Sequence, residues 1–153
     1  MAEHIRIGDV APRVQYVGDG ARTVFTFPFP VFLAEDLEVR VDGVPVGGFA
    51  VSGAGQSEGG SVALGAAPAP GVTVTLRRRI RVERNTDFQD NGVLRARILN
   101  DELDRLVAAL QEHREDLDGT IRQDPAEGGG RLTLPLRPAR AIRLHGYDSC
   151  GEG

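Results

Sequence analysis

The sequence predicts an α+β fold: a small antiparallel β-sandwich or barrel, then one long amphipathic helix, then a short C-terminal β segment. Two patterns carry this reading. Between residues 14 and 92, short alternating apolar runs recur between turn signals and amount to six or seven strands. After Gly92 the apolar period changes from two to alternate steps of three and four. The resulting division is an N-terminal arm at 1–13, a β-rich block at 14–92, a helix at 93–123, a linker at 124–131 and a β segment at 132–153.

The strands follow in order. Val14-Gln15-Tyr16-Val17 alternates and is followed by the turn signal Gly18-Asp19-Gly20. Thr23 to Phe27 is rich in β-branched and aromatic residues, with Phe25 and Phe27 sharing one face. Pro28 and Pro30 end it, since neither can donate a ladder hydrogen bond. Leu37-Glu38-Val39-Arg40-Val41 alternates apolar with charged. Asp42-Gly43 then predicts a type I′ hairpin turn, and Pro45 marks the returning strand as an edge. Phe49-Ala50-Val51 is a further short strand. Ser61-Val62-Ala63-Leu64 and Val72 to Leu76 are expected to pair with each other across Pro68-Ala69-Pro70-Gly71.

The helix carries Ala96, Leu99, Leu103, Leu106, Leu110, His113, Leu117 and Thr120 in steps of three and four, an a/d seam of just over three heptads. It is expected to run from Arg95 to Arg122, with Asp87, Asp90 and Asn91 as candidate caps and Asp124-Pro125 as a stop. The seam has two readings. It packs on its own β block, which the apolar Val107 and Ala109 favour by widening the face, or it joins identical helices. The leucine seam lacks the β-branched a positions that favour dimers, and an oligomeric coiled coil would place Ala96, Leu99, Leu103, Leu106, Leu110, His113 and Leu117 at its interface. His113 then faces its symmetry mates and loosens the layer when charged below pH ~6; otherwise it is a plain surface histidine.

Composition narrows the function. All 18 basic residues are arginine, which reads as codon bias rather than chemistry, and the net charge is −4. Residues 77–84 carry a local +4 and residues 85–127 a local −6, a reversal suggesting that the two stretches meet different neighbours. Arg77, Arg78, Arg79, Arg81 and Arg84 form a candidate docking surface for an acidic protein. They lack the interleaved aromatics that stack nucleic-acid bases, and the acidic total argues against nucleic acid as a partner. No apolar run approaches the ~20 residues that span a membrane, so no membrane insertion is expected. The lone Cys150 allows no intrachain disulfide. His4, His113 and His145 fall one to a region with no second ligand at metal spacing, and no nucleophile elbow or phosphate loop is present. No catalytic, cofactor-binding or metal residues are therefore assigned, and the chain is expected not to be an enzyme.

The ordered motifs support a resemblance. Tyr16-Val17-Gly18-Asp19-Gly20 through Thr23-Val24-Phe25-Thr26-Phe27-Pro28-Phe29-Pro30 resembles the opening of the N-terminal virion-anchoring domain of podovirus-type tail fibres and tailspikes. The hairpin from Leu37 to Val44, Thr86-Asp87-Phe88-Gln89, and Leu99 to Leu106 fit the same pattern over about residues 14–122. Residues 132–152 look like the segment that leads into a fibre shaft. The resemblance implies a structural virion protein: a homotrimer whose β block docks on tail or head proteins and whose helices pass threefold symmetry to a distal receptor-binding chain or region. It places the chain in the virion after assembly in the host cytoplasm. The sequence stops where a shaft should begin, so either a longer fibre continues beyond it or the chain is a short adaptor. Two other function classes remain: a carbohydrate-binding or depolymerase tailspike fragment, for which two Tyr, six Phe and no Trp are thin material, and a nucleic-acid-binding accessory protein using Arg77–Arg84.

Overall fold

The structure, a computed structural model, describes residues 4–83, 86–88, 90, 92 and 95–120. Arg84, Asn91, the expected linker at 124–131 and the expected C-terminal strand lie outside the described residues.

Among the described residues, seven strands form two antiparallel sheets. The first has the order β1 (Arg13–Val17), β7 (Thr73–Arg78), β3 (Leu37–Val41), β4 (Val44–Pro45). The second has the order β2 (Val24–Phe27), β6 (Gly60–Ala63), β5 (Ala50–Ser52). A short 3-10 turn at Ala34–Asp36 leads into β3, and a long α-helix, α1, follows the sheets at Ala96–Asp118. The sheets bury Phe25, Phe27, Phe29, Val31, Leu37, Val39, Val62, Val74 and Leu76 between them.

The alternation read from the sequence sets this core. On β2, Phe25 and Phe27 point inward and Val24 outward. Register brings Val39 and Val14 opposite Leu76 on either side, and Phe25 opposite Val62. Asp42 and Gly43 take φ of 52° and 78°, the left-handed pair that a two-residue hairpin requires. Pro45 falls on edge strand β4, where its missing N–H leaves no ladder position open. Asp19 Oδ1 accepts from the N–H groups of Ala21 (2.9 Å) and Arg22 (2.7 Å), and these bonds hold its pKa below the usual carboxylate value.

The expected hairpin between residues 61–64 and 72–76 does not form. β6 and β7 lie in different sheets. The connecting segment is committed elsewhere: Gly18 N–H donates to Val72 O (2.8 Å) and Gly20 N–H to Pro68 O (3.1 Å), which ties it to the first turn. Val62 and Val74 can then face the same core from opposite sides.

Gly59 combines a close approach with a left-handed backbone. Its φ is +84°, and a Cβ there would collide with Phe27 O. Gly59→Ala is expected to lower stability by at least ~2 kcal/mol through strain and collision together. A denaturant titration reads this directly, and a loss under ~0.5 kcal/mol would show that the backbone moves aside.

α1 starts later and ends earlier than the sequence suggests. Its N-cap is Arg95, with no side-chain cap, so Asp87 and Asp90 lie too far upstream to serve as caps. Gly119 closes its C-terminus, donating to Glu115 O at 3.2 Å. One compact unit runs from the arm to Gly119, so the β block and α1 fold together.

Candidate functional site: the two faces of the long helix

β7 continues its inward alternation one step past the apolar core: Val74, Leu76 and then Arg78 point inward. Arg78 is 0% exposed. Its Nε donates to Glu112 Oε1 (2.9 Å), one terminal nitrogen to Pro30 O (3.1 Å), and the other to Ala108 O (3.0 Å) and Gln111 Oε1 (2.9 Å). Glu112, 6% exposed, also accepts the Ile80 N–H at 3.2 Å. Burial pushes the Arg78 pKa down and the Glu112 pKa up, and the attraction between them offsets only part of either shift. The cost of taking both charges out of water offsets much of the attraction within such a buried pair.

Surface charge extends this contact. Arg77 pairs with Asp116 and lies 3.6 Å from Glu115; Arg79 reaches Asp116 at 3.1 Å; Arg13 pairs with Glu115. Burial disfavours the charged form of Arg77, but Asp116 and Glu115 outweigh it and raise its pKa. The hydrogen bond from Arg77 holds Asp116 below the usual carboxylate range. A carboxyl depressed in this way contributes stability above its ordinary pKa and loses it as pH falls through the lower, folded value. Asp116→Asn is therefore expected to flatten the loss of stability on acidification below about pH 4. Urea midpoints at pH 7 and pH 3 read the difference, and equal losses in both proteins would contradict it.

The arm closes over the same helix. His4 Nδ1 and Nε2 lie 3.0 Å and 2.8 Å from Asp101 and Asp104, and Gln111 Nε2 donates to Gly8 O at 2.7 Å. Pro12 O accepts the Arg78 N–H at 2.9 Å. A groove of about 170 Å³ between arm and helix is lined by Asp9, Pro12, Gln111 and Arg114 among others.

The apolar seam lies on the opposite side. At 3.6 residues per turn, Leu106 and Leu110 stand two residues from buried Ala108, roughly 200° around the axis. Leu99, Leu103, Leu106, Leu110 and Leu117 are 36–66% exposed. Ala96 and His113 are exposed beside them. The helix thus binds its own β block by its polar face and turns its leucines outward.

This arrangement corrects two expectations. Arg78 is enclosed and cannot belong to a docking surface, and Arg77 is half-buried against Asp116, whereas Arg79, also paired with Asp116, and Arg81 stay exposed. The charge reversal does not mark two different neighbours: its positive and negative stretches meet each other. The sequence held a signal for the first point in the inward parity of Val74, Leu76 and Arg78, and the run of arginines obscured it.

The matching family model is described as the phage T7 tail fibre protein, N-terminal domain, and covers residues 9–124, both the β block and α1. The chain belongs to this family. A curated relative of this tail fibre domain, the tail spike protein of Salmonella phage epsilon15, is 28% identical over 155 residues. That alignment covers 90% of this chain and 14% of the relative, so the chain spans a small part of that protein's length. Membership of this family makes the chain a structural phage tail protein. No helix among the described residues is long and apolar enough to cross a membrane.

Proposed function

We propose that this tail fibre domain is a non-catalytic, homotrimeric anchoring module that attaches a receptor-binding fibre to the phage particle. The observation that carries it is the division of labour on α1: the polar face is closed on the β block through Arg78, and the leucines face out. Enclosing such partly exposed leucines in a three-helix bundle stabilises by about 1 kcal/mol each. Ala96, Leu99, Leu103, Leu106, Leu110, His113 and Leu117 supply the seam. The β block, with exposed Arg81, docks on tail or head structural proteins. Beyond α1, residues 124–131 act as a linker and residues 132–153 lead toward the distal receptor-binding chain or region. Assembly takes place in the host cytoplasm before the module joins the virion.

The test combines native mass with location. The full chain is expected at three times its 16.4 kDa mass, and a tagged copy is expected at the base of the fibre on labelled particles. A monomer across micromolar concentrations, or label at the fibre tip, would overturn the reading.

A further inference from the structure

We propose that three copies of His113 meet on the axis of the helix bundle and together bind one divalent transition-metal ion of the zinc class. The site rests on the trimeric reading above, since a single chain supplies only one ligand. Among the described residues no three His, Cys, Asp or Glu of one chain are grouped to hold a metal.

The position of His113 is the first argument. It stands three residues beyond Leu110 and seven beyond Leu106, within the outward leucine stripe, and it is exposed, whereas its neighbour Glu112 is buried. Closing the seam carries the imidazole from water into a layer beneath Leu110, and an enclosed polar ring needs a partner.

The nearby charged groups do not supply one. Glu112 faces the β block and is held by Arg78 and Ile80. Asp116 is held by Arg77 and Arg79. Arg114, the next residue along, is a donor with no acceptor to offer a ring N–H.

Threefold symmetry supplies the last argument. A neutral imidazole has one donor and one acceptor nitrogen. Equivalent rings around a threefold axis present the same atom inward, so they cannot satisfy one another in donor–acceptor pairs. Three inward lone pairs do suit a cation. Zinc takes imidazole nitrogens at about 2.0–2.1 Å and completes a tetrahedron with one small ligand. Copper and nickel also accept imidazole. Because the ligating rings must be neutral, metal competes with protons and uptake falls on acidification.

The experiment compares the full chain with His113→Leu, both stripped of metal and titrated with Zn(II), by native mass, metal content and thermal melting. The wild type is expected to hold one zinc per three chains and to melt at higher temperature with zinc than without. His113→Leu, which makes the seam more apolar, is expected to stay trimeric and to lose both effects. A wild type that forms trimers only with zinc also supports the site. Trimers that take up no zinc overturn the site and leave the trimer intact, and equal uptake by His113→Leu overturns the site as well. A chain that is monomeric with and without zinc overturns both.

Discussion

Arg78→Ala is expected to cost about 3–5 kcal/mol of folding stability, because it leaves Glu112 buried against the β block with no opposing charge. For a domain of this size that corresponds to a melting temperature lower by roughly 10–20 °C, read at fixed protein concentration because oligomers melt in a concentration-dependent way. The informative partner is the double variant Arg78→Met with Glu112→Leu. It removes both charges and keeps most of the volume, so it is expected to recover most of the loss or to exceed the wild type. Glu112→Gln alone retains an acceptor for Ile80 N–H and falls between the two. A single Arg78→Ala costing less than ~1 kcal/mol would show that water reaches Glu112. A double variant as unstable as the single one would show that the four-acceptor fan, and not the charge pair, sets helix docking.

Leu103→Asp combined with Leu110→Asp addresses the other face. Both leucines are more than half exposed in the single chain, at 51% and 66%, so the substitutions cost the isolated fold little. In a bundle the same positions would bring six carboxylates onto one axis, where desolvation and like charge act together. The expected result is a monomer with an unchanged far-ultraviolet spectrum and a melting temperature that no longer depends on concentration. Trimers persisting in the double variant would refute the seam. Loss of helix signal together with trimers would mean that α1 folds only in the assembly, and the Arg78 variant distinguishes that case, because its effect then vanishes in the monomer.

Local chemistry made much of the fold readable from the sequence. Phe25 and Phe27 announce their shared inward face through period-two alternation, and Asp42-Gly43 requires its turn. The helix is visible as a change of period at Gly92, in steps that repeat whatever the helix touches. What stayed hidden depends on distant partners. The partition of β6 and β7 between sheets follows from hydrogen bonds between Gly18–Gly20 and Pro68–Val72, some fifty residues apart, which no local pattern records. The N-terminus of α1 lacks a capping side chain, so acids several residues upstream took that place in the sequence reading. The role of Arg78 was half visible: parity pointed it inward, but a lone arginine among arginines gives no sign that Glu112 waits to receive it.

The arm that crosses α1 has a consequence for the timing of synthesis. His4 meets Asp101 across 97 residues of chain, and Gly8 meets Gln111 across 103. At about 5–20 residues per second, the ribosome delivers those helix partners some 5–20 s after the arm emerges. Arg78 is made 34 residues before Glu112, so for about 2–7 s within that interval the nascent β block holds it with no Glu112 to receive it. The arm and Arg78 therefore wait on the same later segment, and the contacts that close the β block on α1 form only once that helix has been made.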